Sequence, residues 1–261
     1  MLGAIIGDVV GSRFEFNNIK TKEFELITDK STYTDDTVLT VAIMDWLLHA
    51  ENRNGKNAAM YLRKWGRKYP NAGYGTRFVR WLHDDNAKAY NSCGNGSAMR
   101  ISPVGWISNN LMEVAVMSFV ATMITHNHPE GIKGADVTAK LICMARNGKS
   151  KEEMKAFAEK HYDINFDYNE LVKNYYHGEE TCQVTVPQAL YCFFISNSFE
   201  DCLRTTVSIG GDTDTLCAIS CAIAEAYYGQ ISEQLIEKVK EKLPSDMIKV
   251  IEEFKEKYGG Q

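Results

Sequence analysis

The sequence predicts an all-α protein that folds as one domain over residues 1–261. Signals for β-strands are nearly absent, because no turn dipeptide stands between two alternating runs of apolar and polar residues. Apolar residues instead recur at helical spacing, and glycine, proline or capping residues separate the runs. A chain that is 44% hydrophobic and 24% charged is ordinary globular material, and this length can bury one large core.

Composition narrows the classes of partner. The net charge is −5 and no cluster of Lys and Arg stands out, which argues against a surface for long nucleic acid and favours a small ligand. No apolar run approaches membrane-spanning length, and the first eight residues lack the basic start and the length of a signal peptide. We therefore expect a cytoplasmic protein without a membrane partner. The sequence does not fix the oligomeric state, and a monomer is expected.

Cysteine usage points to a reducing compartment. The seven cysteines are scattered and form no CxxC pair. Cys217 and Cys221 are one helical turn apart in an apolar run, which predicts packing as reduced core residues. Neither disulfides nor a zinc site is expected.

The first segment is predicted to be a buried helix. Gly3, Gly7 and Gly11 recur every four residues and would give one smooth face for close approach of another helix. Asp8 is unusual here, because a carboxylate in a buried helix needs a partner. Glu15 follows between two aromatic residues and is a functional candidate, although a loop acid flanked by packing aromatics is the alternative.

The next elements follow from periodicity and breakers. Residues 19–31 are polar and unperiodic, which predicts a surface loop that could cover a nearby site. Helices are predicted over residues 36–50, 57–69 and 74–82. Residues 91–100, here called the glycine loop, offer backbone N–H groups that could hold a pyrophosphate, and a loop built only for tight turning is the alternative.

The middle of the chain is strongly apolar. Residues 111–124 form a continuous apolar run that predicts a central buried helix. The run leads to His126 and His128 beside Glu130, which could bind zinc, but no further soft ligand is evident nearby. A hydrogen-bonding histidine at a pocket rim is the preferred interpretation.

The second half of the chain continues as helices. Residues 165–181 lack a clear period and are predicted to be irregular, and Pro187 is placed in the first turn of the helix that follows. The predicted helices are 131–146, 151–161, 188–195, 198–209, 231–242 and 245–257.

Two acidic stretches stand directly before apolar helical runs. Residues 210–215 read Gly-Gly-Asp-Thr-Asp-Thr and residues 34–37 read Thr-Asp-Asp-Thr. One helix start uses one capping side chain, so the additional carboxylates are more acceptor charge than capping requires. Hard oxygen ligands suit magnesium, manganese or calcium rather than zinc, and four carboxylates suit two ions. The alternative is a pair of simple helix caps on an acidic surface.

Five motifs in this order resemble those of the ADP-ribosylglycohydrolase family, and together they span nearly the whole chain. They are Gly3-Ala4-Ile5-Ile6-Gly7-Asp8 with Glu15, residues 34–37, residues 94–100, Thr125-His126 and residues 210–215. The resemblance implies an orthogonal multi-helix bundle that holds two Mg²⁺ or Mn²⁺ ions. Cys93, Cys221 and Glu225 depart from the family pattern. Glu225 shares a helix face with Asp214 and could support the metal site or make a separate polar contact in the core.

The resemblance also implies roles for individual residues. The implied metal ligands are Thr34, Asp35, Asp36, Asp212, Asp214 and Thr215. The implied substrate-binding residues are Ser92, Cys93, Gly94, Asn95, Gly96 and His126. Glu15 is the expected catalytic acid or base, and a metal-bound aspartate, Asp36 or Asp214, is the other candidate.

The implied function is metal-dependent hydrolysis of the glycosidic bond between ADP-ribose and an acceptor, with ADP-ribose as product. The acceptor is a protein side chain, a nucleic acid or a small molecule, and the sequence does not say which. One alternative is a catalytically silent ADP-ribose-binding or structural protein on the same fold. Another is a metal-dependent phosphohydrolase that cleaves the pyrophosphate, for which the product would be AMP.

Overall fold

The computed structural model describes residues 1–174 and 180–259. It is 65% helical and has no strand within those ranges, so the predicted all-α class is confirmed. None of the helices described is both long and apolar enough to cross a bilayer. The α-helices are α1 Gly3–Gly11, α2 Asp35–His49, α3 Gly55–Lys68, α4 Thr76–His83, α5 Gly96–Met99, α6 Leu111–Thr122, α7 Pro129–Arg146, α8 Lys151–Ala158, α9 Tyr168–Asn174, α10 Cys182–Ile195, α11 Phe199–Ile209, α12 Thr213–Tyr228, α13 Glu233–Lys240 and α14 Ser245–Tyr258.

Helices α1 and α12 form the centre of the bundle, and their backbones touch. Every residue of α1 is buried. A Cβ atom on Gly7 would lie 2.3 Å from the carbonyl oxygen of Cys217, and one on Gly3 would lie 2.3 Å from that of Cys221. The predicted glycine face is therefore confirmed, since only glycine permits this approach. Cys217 and Cys221 are buried and have free thiols, as predicted.

The remaining core surrounds this pair. Helices α2, α7, α10 and α11 all pack against α12, and α14 closes the outer side of α2. The loop over residues 19–31 has no helix or strand, as predicted, and it lies against the start of α12, where Lys20 Nζ donates to the carbonyl oxygen of Ile209 at 2.6 Å. The bundle thus brings the N-terminal ends of α2 and α12 to one side.

The prediction of a central buried helix over residues 111–124 is wrong in its burial. Helix α6 forms there, but Met112, Val116, Phe119 and Met123 are 74%, 52%, 46% and 40% exposed. Only the opposite face packs, mainly on α7 and α3. A continuous apolar run carries no information about how many faces its neighbours cover, which is why the sequence could not decide this point.

Two boundaries in the second half also differ from prediction. Helix α10 begins at Cys182, so Pro187 lies inside the helix rather than in its first turn. The earlier start is fixed by tertiary contact, because the Cys182 N–H donates to the carbonyl oxygen of Cys93 at 2.9 Å. Helix α9 occupies part of the stretch predicted to be irregular, of which residues 175–179 lie outside the described residues.

Glu225 lies near the far end of α12, roughly 16 Å along the helix axis from Asp214. Its carboxylate accepts hydrogen bonds from the N–H groups of Leu2 at 2.9 Å and Gly3 at 2.8 Å. It therefore caps the first turn of α1. Of the two roles considered for Glu225, the separate polar contact in the core is the correct one.

Candidate functional site

A cleft of about 420 Å³ opens where the N-terminal ends of α2, α5 and α12 converge. The two acidic stretches and the glycine loop meet in it, although they are far apart in the sequence. Its walls include Glu15, Asp35, Asp36, Asp212, Asp214, Thr215, Ser92, Gly94, Asn95, Gly96 and His126. Thr34 and Cys93 are the two predicted site residues that do not line it.

The entrance to α2, residues 34–37, is capped mainly by a side chain from another helix. Thr34 is the N-cap residue, and its Oγ1 accepts from the Asp36 N–H at 3.3 Å. The Asp8 carboxylate accepts from the N–H groups of Thr34 at 2.9 Å and Thr37 at 3.0 Å, and from both threonine hydroxyls. This is the partner that the buried Asp8 was expected to need. Its burial raises its pKa to about 6, and the hydrogen bonds from Thr34 and Thr37 oppose that rise.

The entrance to α12, residues 210–215, is built differently. Gly210 and Gly211 have φ angles of 77° and 82°, a left-handed conformation that favours glycine. Asp212 occupies the N-cap position, but its side chain accepts no capping hydrogen bond. Its carboxylate instead accepts from Asn95 Nδ2 of the glycine loop at 2.6 Å. The carboxylate of Asp212 is therefore turned into the cleft.

The two entrances are joined to each other and to Glu15. Thr215 Oγ1 donates to Asp36 Oδ2 at 3.3 Å. Carboxylate oxygens of Glu15, Asp212 and Asp214 lie within 4.8 Å of one another, a cluster that could hold a metal ion. Asp36 Oδ1 is buried and has no hydrogen-bond partner among the residues described. A buried, unpartnered anionic oxygen beside other carboxylates fits a divalent cation with hard oxygen ligands.

The electrostatics of the cluster agree with that fit. Burial, followed by the charges of Asp212 and other acids, raises the pKa of Glu15 to about 7. Burial and the neighbouring carboxylates raise the pKa of Asp35 to about 8, and they raise those of Asp36 and Asp214 well above the usual range. Crowded, desolvated like charges of this kind favour a bound cation or a proton.

The glycine loop forms another wall of the cleft. Gly94 and Gly96 lie against His126, which is 4% exposed and whose Nδ1 is 2.8 Å from Thr125 Oγ1. Cys93 does not line the cleft, and its carbonyl oxygen accepts from the Cys182 N–H at the start of α10. His128 accepts from the Glu130 N–H at 3.2 Å and caps α7, which accounts for this histidine without a metal.

Comparison with known proteins decides the family. A family model described as ADP-ribosylglycohydrolase matches residues 1–261. The chain belongs to the ADP-ribosylglycohydrolase family. The resemblance found in the five motifs is thus confirmed.

Relatives and a solved structure of the family agree with this assignment. The chain is 26% identical over 306 residues to ADP-ribosylhydrolase ARH3 of Mus musculus, covering 88% of this chain and 82% of that protein. It is 24% identical over 253 residues to the ADP-ribosyl-[dinitrogen reductase] glycohydrolase of Rhodospirillum rubrum, covering 87% and 84%. ADP-ribosylarginine hydrolase Tri1 of Pseudomonas putida is 24% identical over 260 residues, covering 88% and 69%. A solved chain of an ADP-ribosylglycohydrolase-related protein complex matches with a TM-score of 0.73 and 26% identity over 92% of each chain.

Several cleft residues of this family member were not found from the sequence. Arg77, Phe78, Tyr90 and Arg100 also line the cleft. The Arg77 guanidinium lies 4.9 Å from the centroid of the Tyr90 ring, and Arg100 is 1% exposed. The position of Arg100 at the end of the glycine loop was a signal that could have been used. Arg77 lies on an ordinary amphipathic helix and gave none.

Proposed function

We propose that this protein is a metal-dependent hydrolase that cleaves the glycosidic bond between ADP-ribose and an acceptor and releases ADP-ribose. The observation that carries the proposal is the meeting, in one cleft, of two acidic helix entrances joined by the Thr215 to Asp36 hydrogen bond and faced by the glycine loop. Membership of the ADP-ribosylglycohydrolase family supports it.

The acidic cluster would hold two Mg²⁺ or Mn²⁺ ions. The proposed ligands are Thr34, Asp35, Asp36, Asp212, Asp214 and Thr215. The unpartnered Oδ1 of Asp36 and the raised pKa values of the cluster support this assignment. When bound, such ions supply orientation of sugar hydroxyls and activation of water.

Glu15 is the proposed acid or base. It is half-buried at the cleft, beside Asp212 and Asp214. In the metal-free protein, burial and the neighbouring carboxylates raise the pKa of Glu15 to about 7, and bound cations would lower it, so that the carboxylate could accept a proton as a general base. A metal-bound aspartate, Asp36 or Asp214, is the other proposed acid or base.

The glycine loop and His126 are proposed to bind the diphosphate. Ser92, Gly94, Asn95 and Gly96 form one wall of the cleft, in which Asn95 also donates to the Asp212 carboxylate, and Cys93 would act only through its main chain. The N–H groups of Gly94 and Asn95 already donate to Ser92 Oγ and to the carbonyl oxygen of Glu180, so the diphosphate would be held by other donors of this wall and by His126. The distal ribose would then lie between this wall and Glu15.

The acceptor is the part of the substrate for which the cleft gives least guidance. The names of two relatives refer to arginine and to dinitrogen reductase, which places protein side chains first among the candidates. Nucleic-acid and small-molecule acceptors follow in the same proposal, because all of them present the same ADP-ribose to the cleft. The enzyme is expected to act as a cytoplasmic monomer.

The test is mass-spectrometric detection of free ADP-ribose from arginine-, serine-, acetyl- and nucleic-acid-linked substrates, with Mg²⁺ or Mn²⁺ and with chelator. Asp214→Ala should abolish release, while Glu237→Gln, which alters an exposed carboxylate of α13, should leave it unchanged. Glu15→Gln should keep ADP-ribose binding and lose most turnover. AMP as the product would indicate a phosphohydrolase, and binding without release from any substrate would indicate the catalytically silent alternative.

A further inference from the structure

A short chain of hydrogen bonds runs behind the glycine loop. Arg100 Nη2 donates to Thr125 Oγ1 at 2.8 Å, and Thr125 Oγ1 lies 2.8 Å from His126 Nδ1. All three side chains are buried, with exposures of 1%, 0% and 4%. Arg100 and His126 both line the cleft, whereas Thr125 lies between them and out of it.

The direction of these hydrogen bonds follows from which side chains can donate and which can accept. Arginine only donates, so Thr125 Oγ1 is an acceptor toward Arg100 and has one hydrogen left to give. If His126 Nδ1 also donated to Thr125, the threonine hydrogen would be buried with no acceptor among the residues described, which is unfavourable. The Thr125 hydroxyl and His126 Nδ1 are both satisfied when Thr125 donates to Nδ1. The proton of a neutral His126 ring then sits on Nε2.

The Nε2 atom points through the glycine loop. A Cβ atom on Gly96 would lie 3.3 Å from His126 Nε2, and one on Gly94 would lie 3.6 Å from it. The two glycines therefore keep open the space in front of this nitrogen. No hydrogen-bond partner for Nε2 occurs in the part of the chain that the structure describes.

We propose that Arg100 and Thr125 are positioning residues that fix His126 as a neutral Nε2–H donor, directed between Gly94 and Gly96 at a diphosphate oxygen of ADP-ribose. The choice of ligand rests on the proposed function. The tautomer does not, because it follows from contacts within the protein. Such a donor would add a charge-assisted hydrogen bond at a wall where the N–H groups of Gly94 and Asn95 already have acceptors within the protein.

The surrounding charges keep the ring neutral. Burial, followed by the charges of Arg100 and Arg77, lowers the pKa of His126 well below its usual range. The Tyr90 ring lies 6.1 Å from the His126 ring on another side and is itself covered by Arg77. An imidazolium would carry protons on both nitrogens and would break the hydrogen bond from Thr125.

The first test is the ¹⁵N NMR spectrum of the histidine side chains at neutral pH, with His126 assigned by its loss in His126→Gln. We expect a neutral ring with the proton on Nε2 in the free protein, and a changed Nε2 resonance after addition of ADP-ribose. A proton on Nδ1, or a charged ring, would overturn the proposal.

The second test compares three variants by ADP-ribose titration. Thr125→Val removes the hydroxyl and should weaken binding about tenfold, as expected for one hydrogen bond to a charged group. Thr125→Ser keeps the hydroxyl and should bind as the wild type does. Thr122→Val is the matched control, because the Thr122 hydroxyl is buried one turn earlier and has no hydrogen-bond partner in the described residues.

The outcomes separate this proposal from the proposed function. Equal affinity in Thr125→Val and Thr122→Val, with both folded by circular dichroism, would remove Thr125 from binding. Binding of ADP-ribose without any change at His126 would overturn the choice of ligand atom. Absence of any ADP-ribose binding, with the Nε2–H tautomer present, would overturn the proposed function and the ligand assignment with it.

Discussion

The entrances to α2 and α12 look alike in sequence but are held in different ways. At α2 the Asp36 N–H donates to Thr34, and the N–H groups of Thr34 and Thr37 donate to Asp8 from α1, while the Asp35 N–H donates to the carbonyl oxygen of Ala72. At α12 the N-cap residue Asp212 accepts no capping hydrogen bond, and two left-handed glycines and Asn95 set its position. The α2 entrance is capped in part by a carboxylate from α1, whereas the N-cap carboxylate at α12, that of Asp212, accepts no hydrogen bond from its own helix.

The difference shows how carboxylates become available to the cleft. A carboxylate that caps a helix accepts hydrogen bonds from backbone N–H groups, so its oxygens are less available to bind a metal ion. Because Asp8 caps α2, Asp36 keeps one buried oxygen without a partner. Because glycines shape the start of α12, Asp212 and Asp214 can approach Glu15. Asp8 caps α2 without lining the cleft, whereas Asp36, Asp212 and Asp214 line it, and Asp214 also accepts from the Thr215 N–H at 3.0 Å. The two roles can be tested in separate variants.

The largest effect is expected from removing a cleft carboxylate. Asp36→Ala and Asp214→Ala should each lower turnover about a thousandfold, because the proposed ions lose a ligand. The metal-free variants should melt at or above the wild-type temperature, because a buried, repelled carboxylate has been removed. Release of ADP-ribose and thermal unfolding would be measured on the same samples. Loss of activity accompanied by lower stability would contradict this prediction, because it would show that the removed carboxylate also stabilises the fold.

The opposite pattern is expected for the capping carboxylate. Asp8→Ala leaves the N–H groups of Thr34 and Thr37 without their acceptor and should lower the free energy of unfolding by about 3 kcal/mol. Denaturant titration would measure it, with Asp29→Ala, an exposed carboxylate in the loop, as the control. A variant as stable as the control would show that Asp8 does not hold this entrance.

A smaller effect is expected where the glycine loop holds the α12 entrance. Asn95→Ala removes the amide that donates to Asp212 and should weaken Mn²⁺ binding about tenfold, as is usual for groups that orient a metal ligand. Calorimetric titration would measure the affinity. Thr185→Val, which removes only the other partner of this amide, should have a lesser effect. Unchanged affinity in Asn95→Ala would mean that the glycines alone position Asp212.

The smallest expected effect is a pH dependence of stability. Glu15 and Asp35 have pKa values of about 7 and 8 in the folded protein, against the usual 4.5 and 3.8. Between those limits the folded state binds more protons than the unfolded state, so the stability of the metal-free protein should fall as pH rises. We expect the melting temperature to drop by about 5 °C between pH 5.5 and 8, and Mg²⁺ to restore it more at pH 8.

The comparison that checks this prediction is Asp35→Asn. That variant has one fewer carboxylate to ionise, so its melting temperature should depend less on pH than that of the wild type. Equal slopes for the two proteins would place the origin of the pH dependence elsewhere.

Much of the fold could be read from local pattern. Most helix ranges follow from apolar spacing and from caps such as Ser198 before α11 and Gly229 after α12. The glycine face of α1 was predicted because residues four apart in the sequence lie on the same face of a helix. The exposed face of α6 was missed because burial depends on neighbours, and an apolar run looks the same whether one face or all faces are covered.

The sequence by itself determined the all-α class, the acidic residue types at two helix entrances, the glycine loop and, through its motifs, the family. Only the tertiary structure decided which carboxylate caps a helix and which lines the cleft. Asp8 and Thr34 are separated by 26 residues, and Asn95 and Asp212 by 117. The order of residues records which side chains can accept a hydrogen bond or a metal ion. Which partner each of them meets depends on how α1 packs against the start of α2 and how the glycine loop packs against the start of α12, and no local pattern specifies those contacts.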